Sequence, residues 1–400
     1  MERVEAAIVD PLPALESVTI ALWVASGSRD DLPRARGAAH LLEHLVTSTT
    51  LSDRGNIFHL CDALGGRSEA ATTPEFALYA ATLPCSRFAE GWELLRDQFL
   101  TPDLTAVHFE AERSAVLDEI SGARADPGRL IHECALEEVF GDHPLGYPAC
   151  GRSGDVLGLT TSAIAQQHVV QLQSRCIPIV SGGVDPDEAQ DTLAGAFAGP
   201  VASAVGTRSL PHVLHIGDCR RKVAGLRSHV LLTWVLPERT SGDDVVLSVV
   251  NRLLGGSSAG VLQQAFSGEE GGYSCHTYRS VFSDCAVLSA YVSCSAGAID
   301  PSIGRMNRAV SSAWDGVLRD QEALDSAGRA LDGSFAIGMQ STRMRVNWLG
   351  RAMIDAPAND PVTIPRRSPA HSAVTVDAVS KLRSRLVGPH VTVLEGVALR

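Results

Sequence analysis

The sequence has little that would suit a nucleic-acid-binding or membrane-spanning protein. It contains 34 lysines and arginines against 46 aspartates and glutamates, which makes the net charge -12 with histidine neutral. A general nucleic-acid binder is not expected, because no basic surplus exists to neutralise phosphates. No stretch approaches the roughly 20 apolar residues of a membrane span, and the N-terminus lacks a basic segment followed by an apolar one. These absences predict a cytoplasmic protein.

Paired cysteines and nucleotide-binding loops are also missing. The nine cysteines are an odd number and none stands in a C-x-x-C pair, so neither a disulfide framework nor a structural cysteine zinc site is expected. No G-x-G-x-x-G or phosphate-binding loop occurs, which argues against nucleotide chemistry. The 45% hydrophobic and 20% charged residues are typical of globular proteins, and the 400-residue length suggests two or three domains.

Hydrophobic periodicity predicts both strands and helices. The predicted strands are 17–26, 75–83, 176–184, 229–236, 272–282, 285–294 and 390–396. The predicted helices are 37–48, 86–100, 105–122, 128–140, 161–173, 186–197, 243–254, 301–319 and 321–353, the last interrupted at its glycines.

The two halves of the chain resemble each other. Segments 17–48 and 229–254 both run strand, polar turn, helix, and each is followed by a Gly-Gly pair and an apolar strand. Between them, 199–211 is aperiodic and rich in small residues, proline and glycine, as expected of a linker. We predict an α+β fold of two homologous domains, 1–198 and 212–400, from one duplicated unit. Each is expected to be a mostly antiparallel sheet with helices packed on one side.

The candidate metal-binding and catalytic residues of the first half are His40, Glu43 and His44. These residues fall in a helical run, GAAHLLEHLV, where positions i, i+3 and i+4 share one face. Two imidazoles one turn apart can bind one metal ion with a carboxylate beside it, and H-x-x-E-H is the inverted zinc-peptidase motif. The second half carries no such histidine pair. A solvated pair, or one satisfied in a core, remains the alternative.

A catalytic zinc ion requires a third protein ligand and an open position for water. Glu112 and Glu119 lie seven residues apart in another predicted helix and therefore share a face. Glu119 is the candidate third ligand, and Glu112, two turns earlier, is placed to hydrogen-bond a ligand histidine.

At this point the sequence resembles the zinc-peptidase family of pitrilysin, insulin-degrading enzyme and mitochondrial processing peptidase. The resemblance runs in order through five stretches, 27–50, 64–84, 112–127, 139–151 and 181–189. It implies a zinc site on His40, His44 and Glu119, with Glu43 as general base and Glu112 in support.

The resemblance also implies how a peptide would bind. Family members add an extended substrate to a sheet edge near the zinc, here Glu69, Ala70 and Ala71, where the family usually has asparagine at the position of Glu69. Ala77 similarly stands where the family usually has threonine.

The second half resembles the paired domain of the family less closely. The family has an arginine and a tyrosine there that reach toward the substrate. Tyr273 matches the tyrosine, whereas Phe266 takes the place of the arginine. Arg279 could substitute, although an exposed arginine without a role is the simpler interpretation.

Three functions follow from these observations. The leading one is a zinc endopeptidase acting on unstructured peptides or precursor segments. The family encloses its substrate between two halves and this chain supplies one, so a homodimer or a heterodimer with a related chain is implied. The alternatives are a non-catalytic partner subunit of such a heterodimer and zinc-dependent chemistry other than peptide hydrolysis.

Overall fold

The computed structural model of the protein describes residues 7–32, 34–51, 55–194, 197, 208, 218–240, 242–267, 274–355 and 370–397. The strands in this part of the chain are β1 Ile8–Pro11, β2 Ser17–Val24, β3 Arg67–Thr72, β4 Ala77–Pro84, β5 Cys176–Gly182, β6 Asp218–Ala224, β7 Ser228–Leu236, β8 Cys275–Val281, β9 Ala286–Cys294 and β10 Val387–Val397.

The α-helices are α1 Ala38–Ser48, α2 Ile57–Leu64, α3 Phe88–Leu100, α4 Ala106–Ala125, α5 Pro127–Phe140, α6 Ser153–Leu157, α7 Thr161–Gln173, α8 Pro186–Leu193, α9 Asp243–Leu254, α10 Val261–Phe266, α11 Ile299–Asp315, α12 Gln321–Gly338, α13 Thr342–Asp355 and α14 Val376–Arg385. Within the described residues, none of the helices combines the length and apolar composition needed to cross a bilayer.

The chain divides into two compact units, each assembled from three segments. Unit 1 comprises Met1–Ser121, Pro148–Arg208 and Gly338–Pro365, and unit 2 comprises Gly122–Tyr147, Ser209–Ile337 and Arg366–Arg400. The predicted linker 199–211 lies outside the described residues apart from Arg208, so the predicted boundaries stay predictions.

The sheet of unit 1 has the strand order β1-β5-β2-β4-β3. Only β1 and β5 run parallel, and the other neighbours are antiparallel. Central strand β2 reads SVTIALWV and is buried on both faces after its first residue, as expected for a strand with neighbours on both sides and helices above and below. Strand β3 is an edge, since within the described residues it pairs with β4 alone.

Both faces of this sheet are covered. Ile20 and Leu22 contribute to a core that includes Trp92 and Phe99 of α3. Trp23, pointing the other way, joins a smaller cluster with residues of α13. Gly350 allows α13 to lie against Trp23, because a Cβ at this position would be 2.0 Å from Trp23 Cε2.

The sheet of unit 2 repeats the same order as β6-β10-β7-β9-β8, with β6 and β10 parallel. One face packs against helices that include α9, α11 and α14. The other face packs against α5, whose Ile131 and Cys134 contact a cluster containing Leu231. Each sheet is therefore completed by one helix from the opposite half of the sequence, α13 in unit 1 and α5 in unit 2.

The predicted α+β class with two similar, mostly antiparallel sheets is confirmed. The structure adds one helix on the second face of each sheet. Strands β1, β3 and β6 were missed by periodicity, because edge strands such as RSEAAT and DCRRKVA carry little apolar alternation. The predicted interruption of 321–353 occurs between α12 and α13, and all nine cysteines are free.

Candidate metal centre

The start of α1 is fixed by a glycine and a carboxylate. Gly37 has φ 86°, a backbone conformation that other residues rarely adopt. A Cβ at this position would also clash with the Cys150 carbonyl oxygen, at 2.6 Å. Asp31 accepts hydrogen bonds from the backbone N–H groups of Gly37 at 2.7 Å and Ala39 at 2.9 Å. Because two otherwise unpaired amides at the helix start are satisfied, the helix has a defined first turn.

Helix α1 buries an apolar face and carries the two histidines on another face. Leu41, Leu42 and Leu45 are fully buried, which fixes the rotation of the helix. His40 and His44 are then one turn apart, with ring centroids 4.8 Å from each other. The sequence prediction that they share a face is thus met in the geometry.

Glu119 of helix α4 lies next to the two histidines. Its Oε2 lies 3.2 Å from His40 Nε2 and 3.6 Å from His44 Nε2. One potential ligand atom from each of the three side chains lies within 4.8 Å of the other two. In the part of the chain that the structure describes, no other cluster of three or more such side chains converges in this way.

The donor set fits a zinc ion. Two imidazole nitrogens and one carboxylate oxygen leave one position of a tetrahedron open, which is the usual composition of a catalytic zinc site. Donors bound at about 2.1 Å around a tetrahedral centre lie roughly 3.4 Å apart, and the two separations from Glu119 are close to this spacing. The distances from Glu119 to both histidines therefore suit a bound metal ion, and all three donor atoms lie within 4.8 Å of one another.

The charge around the site favours a cation. Burial alone would lower the pKa of His40, but the carboxylates of Glu43 and Glu119 outweigh it and hold that pKa above its ordinary value. The same negative charge that favours a proton on an imidazole favours a metal ion in its place.

Glu43 lies next to the histidines and is itself anchored. It is 8% exposed, and its Oε2 accepts a hydrogen bond from Thr72 Oγ1 at 2.6 Å. The same oxygen is 3.7 Å from His40 Nδ1. Tyr79 lies nearby, where burial and the charge of Glu43 both raise the pKa of its phenol well above the usual value.

Glu112 contacts His44, one of the two histidines of the candidate metal site, as the spacing predicted. Its Oε2 is 3.3 Å from His44 Nδ1, while its Oε1 is 3.7 Å from His108 Nε2. The His108 ring also contacts Ser48 Oγ at 2.8 Å and the Asp103 carbonyl oxygen at 2.9 Å. His108 was not among the residues predicted for the site, although its position four residues before Glu112 indicates the same helical face.

The predicted substrate strand is the outer strand of the sheet. Glu69, Ala70 and Ala71 pair with Ala80, Tyr79 and Leu78 of β4. Ala70 packs toward the core that includes α1, whereas Glu69 forms an ion pair at 2.9 Å with Arg343 of α13. The strand therefore lies beside the site and has an open backbone edge within the described residues.

The residues predicted in the second half have the following places in the structure. Tyr273 lies outside the described residues. Phe266 is buried in unit 2 with the Arg305 guanidinium 5.2 Å from its ring centroid. Arg279 hydrogen-bonds Asp244, so it has a structural partner within unit 2.

Comparison with known proteins gives the family. Residues 10–152 match the model for insulinase (peptidase family M16), and residues 172–327 match the model for the peptidase M16 inactive domain. The chain is 28% identical over 360 residues to an uncharacterized zinc protease of Mycobacterium leprae, covering 87% of this chain and 80% of that protein. A similarly named protein of Streptomyces coelicolor is 26% identical over 358 residues, covering 86% and 77%.

Solved structures share the fold at low sequence identity. A peptidase M16 inactive domain from Pseudomonas fluorescens superposes with TM-score 0.84 at 15% identity, covering 100% of this chain and 99% of that one. A protease from Helicobacter pylori gives TM-score 0.82 at 16% identity, covering 98% of each chain. With both domain models matched in order, the chain belongs to peptidase family M16, as the resemblance in the sequence implied.

Proposed function

We propose that this chain is a zinc-dependent endopeptidase that hydrolyses peptide bonds in unstructured peptides or precursor segments. The observation that carries the proposal is the convergence of His40, His44 and Glu119, with donor atoms within 4.8 Å of one another and Glu43 beside them. The relatives named as zinc proteases support the same class of chemistry.

His40, His44 and Glu119 would hold the metal ion. Bound zinc lowers the pKa of a water molecule toward neutrality and polarises a carbonyl group. The contribution of the chain is to fix the ligands. Glu112, 3.3 Å from His44 Nδ1, orients that imidazole so that its Nε2 faces Glu119 and the proposed metal position.

Glu43 is the proposed general base. Thr72 occupies its Oε2, which leaves Oε1 to take a proton from the attacking water and to pass it to the leaving amine. Tyr273 is proposed to donate a hydrogen bond to the oxygen that gains negative charge in the transition state.

The proposed substrate site is the open edge of β3. An extended peptide would pair with the backbone of Glu69, Ala70 and Ala71 as an additional strand. Folded segments cannot present such an edge, because their backbone groups are already paired. This mode therefore selects unstructured peptides and places one peptide bond near His40 and His44.

A dimer completes the proposal. Domain 1–198 carries the zinc site and domain 212–400 contributes to the substrate chamber, in a homodimer or a heterodimer in the cytoplasm. Phe266 in place of the family arginine favours a related partner chain that supplies the missing contact.

A non-catalytic partner subunit is the second candidate. The replacement of the family arginine by Phe266 favours it, whereas the assembled His40, Glu43, His44 and Glu119 set favours catalysis. The third candidate is zinc-dependent chemistry other than peptide hydrolysis. Measuring the mass of the products after incubation with peptides distinguishes it from the other two candidates.

The deciding experiment compares three proteins for zinc content and for cleavage of unstructured peptides, each alone and with a candidate partner chain. Wild type should contain about one zinc ion per chain. Glu43→Gln should keep the zinc and lose about 100- to 10,000-fold in kcat. The control is Glu110→Gln, which makes the same change at an exposed position of α4 paired with Arg113 and should leave both quantities unchanged.

Wild type that binds no zinc would contradict the proposed metal site. Zinc-loaded Glu43→Gln with full activity would contradict the assigned base. Zinc-loaded wild type that cleaves no peptide, alone or with a partner, would support the non-catalytic subunit instead.

A further inference from the structure

We propose that Thr72 is a positioning residue that fixes the orientation of Glu43 and links it to the strand on which a peptide docks. This proposal rests on the proposed peptidase function. Thr72 is not a catalytic residue in this scheme, because its hydroxyl acts through the Glu43 carboxylate.

The register of the sheet aims Thr72 at α1. Strand β3 ends at Thr72, which pairs with Ala77 of β4. Side chains alternate along a strand, so Thr72 points to the same face as Ala70, which packs toward the core containing α1. Glu69 and Ala71 point to the opposite face, where Glu69 meets Arg343.

The turn after β3 holds Thr72 in place. The backbone N–H of Thr73 donates to the Phe76 carbonyl oxygen at 2.9 Å, and the Thr73 hydroxyl donates to the same oxygen at 3.0 Å. Since a β-branched side chain has few rotamers in a strand, ordering the Thr72 hydroxyl costs little additional entropy.

The contact with Glu43 is short and shielded. Thr72 Oγ1 donates to Glu43 Oε2 at 2.6 Å, and the Glu43 side chain is 10% exposed. A hydrogen bond to an ionised acceptor is stronger than one between neutral groups, and burial strengthens it further. The bond restricts rotation of the carboxylate and distinguishes its oxygens, since Oε2 carries the bond to Thr72 and Oε1 is the proposed site of proton transfer.

Docking and catalysis would then share one strand. A peptide that adds to β3 bonds the backbone of the residues immediately before Thr72, so an ordered substrate strand also orders the donor that holds the base. Loss of the hydroxyl should affect the chemical step while leaving metal and peptide binding intact. A purely structural bond between β3 and α1 would affect stability alone.

The test compares Thr72→Val, which removes the hydroxyl at nearly constant shape, with Thr72→Ser, which restores it. The matched control is Thr277→Val in unit 2. Thr277 also lies on an edge strand next to a helix, but its hydroxyl donates at 2.9 Å to the main-chain carbonyl of Asn251 instead of to a carboxylate. Four quantities are measured: kcat and KM for an unstructured fluorogenic peptide, zinc content, the denaturation midpoint, and binding of the same peptide by metal-free protein.

We expect Thr72→Val to lose about tenfold in kcat, a fraction of the roughly 100- to 10,000-fold that a general base contributes, because the base is retained but less well oriented. Its KM, zinc content and metal-free peptide binding should stay within twofold of wild type. Thr72→Ser should recover to within about threefold of the wild-type kcat, and Thr277→Val should keep the wild-type kcat even if its denaturation midpoint falls. Thr72→Ala is measured against the same criteria in case the valine variant does not fold.

Several outcomes would overturn the proposal. These are an unchanged kcat in Thr72→Val, a parallel loss of zinc or peptide binding, a serine variant as slow as the valine variant, or an equal loss of kcat in Thr277→Val. Each would overturn the role of Thr72 while leaving the peptidase function in place. A zinc-loaded wild type without activity would overturn both, and it is recognised before any variant is compared.

Discussion

The two units use the same strand order for different purposes. In unit 1 the edge-strand hydroxyl of Thr72 bonds the carboxylate of Glu43, whereas in unit 2 the edge-strand hydroxyl of Thr277 bonds the main chain at Asn251. Helices α1 and α9 both bury an apolar face, but only α1 carries the histidine pair. The fold requires the apolar face of this helix and leaves its polar side free to differ.

The helices on the second faces use different side chains. Helix α13 packs on unit 1 through an apolar cluster around Trp23 and through ion pairs such as Arg345 Nη2 with Asp10 Oδ1 at 2.6 Å. Helix α5 packs on unit 2 through an apolar cluster and through polar aromatic contacts, with His132 Nδ1 2.5 Å from the Tyr278 hydroxyl. Both helices therefore combine apolar packing with polar contacts, and the side chains that make the polar contacts differ.

The largest expected effect is on the stability of unit 1, and it comes from adding a methyl group where α13 packs against Trp23. Gly350→Ala would place a Cβ 2.0 Å from Trp23 Cε2, and we expect it to lower the free energy of unfolding by about 3 kcal/mol. The matched control is Gly333→Ala in α12, where a Cβ meets nothing within 4 Å. It should stabilise by about 0.5–1 kcal/mol because alanine is the better helix former.

Both free energies come from denaturant unfolding followed by circular dichroism. Equal stabilities for the two alanine variants would show that α13 does not approach Trp23 as closely as the structure indicates.

A smaller effect concerns the contact between Glu112 and His44, a proposed zinc ligand. Glu112→Gln removes the carboxylate near His44 Nδ1 and should weaken zinc affinity about 10- to 100-fold, as measured by competition with a chelator of known affinity. His108→Gln, one contact further from His44, should lose less. Glu110→Gln is the control on the same helix, and an equal loss of affinity there would mean that general charge, and not the contact with His44, sets the affinity.

The smallest expected effect is a pH dependence of the free energy of unfolding that arises in unit 2. Burial, together with the charges of His276 and His229, lowers the pKa of His132 to about 4. The folded state therefore resists a proton that the unfolded chain accepts near pH 6.5. The stabilisation is complete above pH 6.5 and is lost as the pH falls toward 4, by about 1 kcal/mol after allowance for partial exposure.

Denaturant unfolding at pH 7.5 and pH 5 measures this loss. His132→Gln should show a smaller decrease than wild type, while His59→Gln, an exposed position of α2, should behave as wild type. The same decrease in His132→Gln as in wild type would rule out His132 as the responsible group.

Local sequence patterns predicted the parts of the site that lie on single helices. The spacing of His40 and His44, and of Glu112 and Glu119, places each pair on one face, because the helical repeat is constant. The sequence did not predict that Thr72 would reach Glu43, since that contact depends on the register of β3 against β4 and on the helix packed above. Periodicity also missed edge strand β3, because the small and polar residues RSEAAT carry little apolar alternation, and only the family resemblance placed a sheet edge there.

By itself, the sequence determined the α+β class, the duplication and the helical placement of the H-x-x-E-H residues, because each depends on periodicities within a few turns or strands. Only the tertiary structure decided that α13 completes unit 1 and α5 completes unit 2, and that His108 and Thr72 join the site. Those choices depend on close fit between segments far apart in the chain, such as Gly350 against Trp23, and such contacts leave no periodic signal in the sequence.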